Sequence, residues 1–127
     1  MTVPTIASRL RRRCLVMSSD AALVAELRSA LPAGWEMTQT VDFGELGGFD
    51  EILQYRFLLL DLDERGAFDP VKTVRLVRME LMLNLAIFCF GGAAELRDEA
   101  RLARADRFFE RVEIAARLGQ FCDQFGW

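Results

Sequence analysis

Short apolar runs that do not alternate with polar residues are spaced along the chain. They are residues 14–17, 57–60 and 85–90, each with four to six consecutive apolar side chains. Such runs are typical of strands that are buried on both faces of a parallel sheet. Two weaker strands are predicted at residues 35–41, which are rich in Thr and Val, and at residues 107–109.

Helical periodicity fills the intervals between these strands. Leu23, Leu27 and Leu31 recur every four residues, and this helix is predicted to stop at Pro32. Residues 42–54 contain three glycines, so we predict a short or irregular helix there. Three further helices are predicted: one from Pro70 to residue 81, one over residues 93–103 and one over residues 113–125.

Strand and helix therefore alternate five times, which favours a parallel sheet with helices on both faces. We predict a doubly wound α/β domain of the flavodoxin-like class, with strand order 2-1-3-4-5. Sites in such domains lie beyond the carboxyl ends of the strands. The domain is predicted to cover residues 13–127, after a basic arm at residues 1–12. The arm, which contains Arg9, Arg11 and Arg12, is interpreted as the solvated start of the first strand.

Composition excludes several classes of protein. No apolar run approaches the ~18 residues that cross a bilayer, and the N-terminal charges do not fit a signal peptide. The chain has no histidine, which excludes histidine-based catalysis and histidine metal sites. A net charge of −3 argues against a dedicated nucleic-acid binder. The three cysteines, Cys14, Cys89 and Cys122, are isolated, which favours buried thiols in a reducing compartment and predicts a cytoplasmic protein.

Polar residues follow the predicted strands at the edge where sites form. In chain order they are Ser18, Ser19, Asp20, Asp61, Asp63 and Arg111, and the fourth strand is followed by Gly91. This layout resembles the receiver domain of bacterial response regulators, over nearly the whole chain from Arg13 onward. In that family strand one ends in an acidic pair that holds Mg²⁺, strand three in the phosphoryl-accepting aspartate, strand four in Thr or Ser, and strand five in Lys-Pro. The resemblance puts Asp61 at the acceptor position and Phe108 at the position of an aromatic switch residue.

The sequence departs from the family's pattern at most of these positions. Ser18 and Ser19 replace the acidic pair, and Asp20 stands one residue late. The other replacements are Gly91 for the hydroxyl residue, Arg111 for the lysine and Val112 for the proline. Mg²⁺ prefers carboxylate and water oxygens, so two uncharged serines predict poor Mg²⁺ binding. Without the cation and the lysine, little neutralises a transferring phosphoryl group. We therefore predict a degenerate receiver that needs no cofactor.

Structural interpretations of the same residues stand beside the functional ones. Asp61 is expected to pair with Arg111, because an unpaired buried carboxylate is costly. Ser18 and Ser19 are interpreted as helix N-caps rather than nucleophiles, since no histidine is available as a base. The alignment of the following helix favours a register that leaves Asp20 outside the pocket. Gly91 and the next glycine are expected to form a tight turn.

The resemblance also implies a face for protein contacts. In the family, helix four, strand five and helix five carry dimerisation and output. The corresponding residues are Arg97, Arg101, Arg104, Arg107, Phe108, Glu113 and Arg117. Charges of both signs suit a symmetric pairing of two copies. We expect a non-enzymatic signalling module that contacts a protein partner or itself, and neither a membrane nor, through this domain, a nucleic acid.

Two other interpretations stay open. In the first, the chain is an unorthodox but active receiver that is phosphorylated on Asp61, with Asp20 or Asp63 providing affinity for Mg²⁺. In the second, it is a small α/β enzyme that uses Ser18 or Ser19, although no base is recognisable. Receiver domains usually precede an output domain, so we expect this chain to be the N-terminal part of a larger regulator.

Overall fold

Strands and helices alternate along residues 11–127, the part of the chain that the computed structural model describes. The strands are β1 (Arg12–Met17), β2 (Trp35–Thr40), β3 (Tyr55–Asp61), β4 (Ala86–Phe90) and β5 (Arg107–Phe109). The helices are α1 (Ala21–Ala30), α2 (Phe49–Ile52), α3 (Pro70–Arg75), α4 (Ala94–Leu102) and α5 (Ile114–Gln124). Short 3₁₀ turns lie at Phe43–Leu46 and Arg111–Glu113, and a π-helical turn follows α3 at Leu76–Glu80.

The five strands form one parallel sheet in the order β2-β1-β3-β4-β5. This confirms the predicted fold class and strand order. The register pairs Met17 with Leu60, Asp61 with Phe90, and Phe90 with Phe109. The carboxyl ends of the four neighbouring strands β1, β3, β4 and β5 therefore meet at one edge of the sheet.

Both faces of the sheet are covered, as the continuous apolar runs predict. Leu58 and Leu60 of β3 face the layer formed by α2, α3 and α4, whereas Phe57 and Leu59 face α1 and α5. Successive residues of a strand point to opposite faces, so a strand buried on both sides needs apolar residues at every position. The face that packs on α5 is aromatic: Phe88 and Phe121 have ring centroids 4.4 Å apart.

Two elements differ from the sequence-based prediction. The helix expected from Pro70 to residue 81 is α-helical only as far as Arg75, and the chain continues as the wider π-helical turn. This turn keeps Val77 fully buried. The first strand begins at Arg12, inside the predicted basic arm, and Arg11 pairs with Glu36 at 2.7 Å. Residues 1–10 of that arm, which include Arg9, lie outside the described residues.

The irregular segment at residues 42–54 and the burial of the cysteines are confirmed. Residues 42–54 form an irregular segment made of the first 3₁₀ turn and the short α2. α4 is largely exposed and buries only Ala100. The three cysteines are buried as free thiols. Within residues 11–127, the structure contains no helix of the length and apolarity that a membrane crossing requires.

Candidate functional site

Arg111 lies at the centre of the site. It is the first residue of the 3₁₀ turn that follows β5 and leads into α5. Its guanidinium lies over the carboxyl edge of the sheet, where it contacts residues that follow β1 and β3. Nη1 donates to Asp61 Oδ1 at 2.7 Å and to Asp63 Oδ2 at 3.1 Å. Nη2 donates to Asp20 Oδ2 at 2.7 Å and to Asp61 Oδ2 at 3.1 Å. One guanidinium therefore contacts three carboxylates, and the predicted pair of Asp61 with Arg111 is present.

Asp61 is buried and fully hydrogen-bonded. Asp61 is only 3% exposed to solvent. Besides the two bonds from Arg111, Oδ2 accepts the Ser18 hydroxyl at 2.7 Å, and Oδ1 accepts the Asp63 backbone N–H at 2.9 Å. A carboxylate offers about four acceptor positions, so the bonds to Asp61 account for its whole capacity. A buried carboxylate that is paired and bonded in this way avoids the large cost of an unpaired buried polar group.

Ser18 contributes to the pocket and not to the helix cap. Its hydroxyl is fully buried, donates to Asp61 and accepts the Asp20 backbone N–H at 3.1 Å. The N-cap of α1 is Asp20, whose Oδ1 accepts the Leu23 backbone N–H at 3.1 Å. Ser19 is exposed and donates to Glu64 Oε2 at 2.9 Å. The interpretation of the two serines as N-caps is therefore wrong.

Asp20 lies inside the pocket, contrary to the alignment-based expectation. One of its oxygens caps α1 while the other accepts from Arg111. The hydrogen bond from Arg111 lowers the pKa of the Asp20 carboxyl below its ordinary value, and the bond from Leu23 adds to this effect. The same contacts raise the pKa of Arg111, with the bond to Asp61 as the largest cause. The sequence names Asp20 among the residues at this strand end, and the reach of the Arg111 guanidinium brings its carboxylate into the pocket although Asp20 stands one residue late.

Two glycines shape the fourth strand end. Gly91 and Gly92 adopt φ of +72° and +82°, which side-chain-bearing residues rarely occupy. A Cβ on Gly91 would collide with the carboxylate of Asp63. The Gly92 N–H donates to Asp63 Oδ1 at 2.9 Å. The predicted tight turn is confirmed. Because Gly91 has no side chain, the carboxylate of Asp63 can occupy the space beside it.

Arg97, which the sequence assigns to the contact face, is partly exposed and also supports the site from α4. Its Nε donates to the Gly91 carbonyl at 2.9 Å, and Nη2 donates to the Phe109 carbonyl at 3.2 Å. Nη2 also lies 3.4 Å from Glu110 Oε1. These contacts join the ends of β4 and β5. No feature of the sequence separates Arg97 from the solvated arginines of the same helix.

The other residues of the predicted contact face are at the surface in varying degree. Arg101, Arg104 and Arg107 are exposed. Glu113 and Arg117 form an ion pair at 3.5 Å and are partly covered. Phe108 is half-buried against the core, with the Arg101 guanidinium 4.7 Å from its ring centroid. The role of Phe108 as a switch residue stays a prediction.

Comparison with known proteins gives matches in structure only. No family model matches the sequence, and no curated protein matches it. A response regulator receiver domain from Bermanella marisrubri superposes with a TM-score of 0.71 at 18% identity, over 91% of this chain and 98% of that one. The signal receiver domain of a modulated diguanylate cyclase from Desulfovibrio desulfuricans gives 0.68 at 19% identity, over 89% and 91%. The phosphorylated cyanobacterial phytochrome response regulator RcpA gives 0.69 at 12% identity, over 90% of each chain.

These likenesses show that the chain has the receiver-domain fold. Mg²⁺ is the metal that this fold implies at this edge of the sheet. Mg²⁺ demands oxygen ligands in near-octahedral geometry at about 2.0–2.1 Å. Here the space between the carboxylates of Asp20, Asp61 and Asp63 holds the two Nη groups of Arg111. Among residues 11–127, no group of three or more ligating side chains is arranged for a metal ion. The pocket as built does not fit Mg²⁺.

Proposed function

We propose that this chain is a non-enzymatic signal-transduction module that has the receiver fold, does not undergo Mg²⁺-dependent phosphorylation on Asp61 and acts through protein contacts. The observation that carries the proposal is the saturated, buried state of Asp61. Every acceptor position of that carboxylate is taken by Arg111, Ser18 or a backbone N–H. The proposal extends to a cytoplasmic location, which the buried free cysteines support.

Phosphoryl transfer asks two things of such a pocket. The attacking oxygen needs a free lone pair with access to the phosphodonor, but Asp61 is 3% exposed and fully bonded. The transferred group brings a charge of about −2, which must be neutralised. One guanidinium already faces three carboxylates, so the pocket has no positive charge to spare. Both requirements are unmet unless Arg111 withdraws.

The surface around α4, β5 and α5 supports action through protein contacts. Arg101, Arg104 and Arg107 are exposed there. Two large apolar side chains of these segments are also exposed, Leu102 at the end of α4 at 84% and Val112 in the turn before α5 at 93%. Arginine is among the residues that are enriched at protein interfaces. The partner we propose is another protein or a second copy of this chain, and sedimentation velocity over a range of concentrations distinguishes the two.

An active receiver is the second candidate. It is favoured by the position of Asp61 at the end of β3 and by the convergence of Asp20 and Asp63 on the same pocket. In this case Arg111 would have to leave the carboxylates before a metal ion and a phosphoryl group could enter. The two candidates differ in whether the wild-type chain gains a phosphoryl group.

Intact mass spectrometry tests the proposal. The folded wild type and Asp61→Asn are incubated with an acyl phosphate and MgCl₂, beside a receiver domain that is phosphorylated under the same conditions. We expect no phosphoryl adduct on either variant, while the reference domain is modified. A single adduct on the wild type that is lost in Asp61→Asn would establish the second candidate and overturn the proposal.

A further inference from the structure

We infer that the guanidinium of Arg111 takes the place of a divalent cation in this pocket, as a counter-ion that belongs to the chain itself. The inference rests on the proposed function and deepens it, because it names what closes the pocket. The inference starts from a mismatch: the fold implies Mg²⁺ at this edge of the sheet, but the groups observed between the carboxylates are N–H donors. Three carboxylates from the ends of β1 and β3 converge, yet the positive charge between them is carried by the nitrogen donors of Arg111.

The geometry matches the donors of a guanidinium. Its planar fork presents Nη1 between Asp61 and Asp63, and Nη2 between Asp61 and Asp20, with all four bonds between 2.7 and 3.1 Å. Arginine forms such forked pairs with carboxylates, whereas a lysine ammonium acts as a point charge. The position that resembles the family's lysine therefore holds the side chain that can bridge several carboxylates at once.

The surroundings of Arg111 hold the fork in place. Its guanidinium carbon lies 5.4 Å from the centroid of the Phe90 ring, whose face attracts a cation. The side chain is 31% exposed, so one side of the fork is covered by the protein. An arginine remains protonated at every physiological pH, and a tethered group does not dissociate into solvent. The counter-ion is thus permanent.

A consequence follows for the wild-type protein and for variants that lack the guanidinium. In the wild type, Mg²⁺ must displace four charge-assisted hydrogen bonds to reach the carboxylates, so it should have no site-specific effect. Without the guanidinium, Asp20, Asp61 and Asp63 repel one another, and the fold should lose stability. Mg²⁺ should then restore part of the lost stability, because it satisfies the same carboxylates.

Thermal unfolding with and without Mg²⁺ tests the inference. The variant is Arg111→Gln, which keeps a donor and removes the charge. Arg117→Gln is the matched control, because it removes the same charge from an arginine that is paired with Glu113 outside the pocket. Each protein is melted in MgCl₂ and in NaCl of equal ionic strength, with circular dichroism to confirm folding.

We expect the Tm of the wild type and of Arg117→Gln to be the same in the two salts. Arg111→Gln should have a lower Tm in NaCl and gain about 4 °C or more once MgCl₂ reaches ten times its dissociation constant. Adding Asp20→Asn to Arg111→Gln should reduce that gain. Where Arg111→Gln does not fold in NaCl, Arg111→Lys serves as the second variant, with a smaller Mg²⁺-specific gain expected.

The inference is overturned by a wild type that Mg²⁺ specifically stabilises, or by arginine variants that fold and show no Mg²⁺-specific gain. Its failure is distinct from failure of the proposed function. If the wild type gains no phosphoryl adduct and the folded Arg111 variants show no Mg²⁺-specific gain in Tm, this inference is wrong and the proposed function still holds. If the wild type gains the phosphoryl adduct, the proposed function itself is wrong.

Discussion

At the scale of single residues, the arginine at position 111 gives the pocket a chemistry that a lysine of the same charge would not give. The two side chains carry the same charge, but only a guanidinium offers parallel N–H groups to several carboxylates. Here it contacts Asp20, Asp61 and Asp63 together. The pocket is therefore an ion-pair network, and its members should respond to substitution as one unit.

The pH dependence of stability should report the contact between Asp20 and Arg111. That contact lowers the pKa of Asp20 below the ordinary value of 3.8. A lowered pKa in the folded state contributes stability that is present above pH 3.8 and is lost as the pH falls through the lowered pKa. Asp20→Asn keeps an N-cap acceptor but loses the charge, so it should be less stable at pH 7 by up to about 1 kcal/mol, since solvent screens the half-exposed pair.

Urea unfolding of both proteins from pH 7 down to pH 3 checks this prediction. The difference in free energy of unfolding should be constant near neutrality and shrink only at the acid end. A difference that stays constant through the acid range would show that the contact with Arg111 contributes nothing to stability.

Two glycines provide a matched pair of substitutions. Gly91 has φ of +72°, and an added Cβ would collide with the Asp63 carboxylate. Gly91→Ala should therefore destabilise the protein by more than about 1 kcal/mol. Gly119 lies within α5, and an added Cβ there would meet no atom within 4 Å. Gly119→Ala should stabilise the protein by about 0.5–1 kcal/mol. Equal effects of the two substitutions, measured by urea unfolding, would contradict this account of the β4 turn.

At the scale of elements, α5 is held on the sheet by an aromatic cluster. The Phe88 ring lies 4.4 Å from that of Phe121, and Phe109 lies 5.1 Å from Phe121 between centroids. Arg111 lies in the turn that leads into α5, so this packing also fixes the position of the Arg111 backbone, from which the guanidinium extends into the pocket. The aromatic layer and the ionic pocket are thus two consequences of the same helix position.

Removal of one ring from this cluster should be costly. Phe88 is 2% exposed, and Phe88→Ala is expected to lower the free energy of unfolding by about 3–5 kcal/mol through lost burial and a residual cavity. Phe49→Ala is the control, because Phe49 is 52% exposed and its loss should cost about 0.5 kcal/mol or less. Similar losses for the two variants in chemical denaturation would show that the cluster is not what holds α5.

The sequence predicts elements well where burial dictates residue type. Runs such as residues 57–60 must be apolar throughout because the sheet is covered on both faces, so the strands follow from the pattern. Their order follows from the fold class that the alternation of strands and helices indicates. The π-helical turn after Arg75 carries no such signal, since the spacing of Val71, Val74 and Val77 also fits an α-helix. The pairing of Asp61 with Arg111 could be predicted because a buried carboxylate needs a cation.

The rest of the pocket depends on geometry that spacing does not encode. Asp20 stands one residue from the expected position, and only the reach of Arg111 brings it into contact. Arg97 has the same residue type and helical setting as Arg101, but its side chain turns inward to the carbonyls of Gly91 and Phe109. Asp20, and not Ser18, is the N-cap of α1, so the Ser18 hydroxyl is available to donate to Asp61 in the pocket.

At the scale of the whole molecule, the buried cysteines allow a test of overall folding. Burial raises the pKa of Cys14 and Cys89 to about 12 and that of Cys122 to about 11. The reactive thiolate is therefore scarce near pH 8, and access is blocked as well. The native protein should react negligibly with a disulfide reagent such as DTNB over minutes, whereas the unfolded protein should show three reactive thiols. Prompt reaction of the native protein would contradict the packed core on both faces of the sheet.

The central claim is that Arg111 excludes a divalent cation from the pocket of the wild-type protein. Paramagnetic broadening by Mn²⁺ in two-dimensional amide NMR spectra tests it at the residues concerned, because the amides of Asp63 and Gly92 donate within the pocket. We expect these two signals to broaden no more than those around the exposed Asp98 in the wild type, and to broaden strongly in Arg111→Gln. Selective loss of the Asp63 and Gly92 signals in the wild type would contradict the claim.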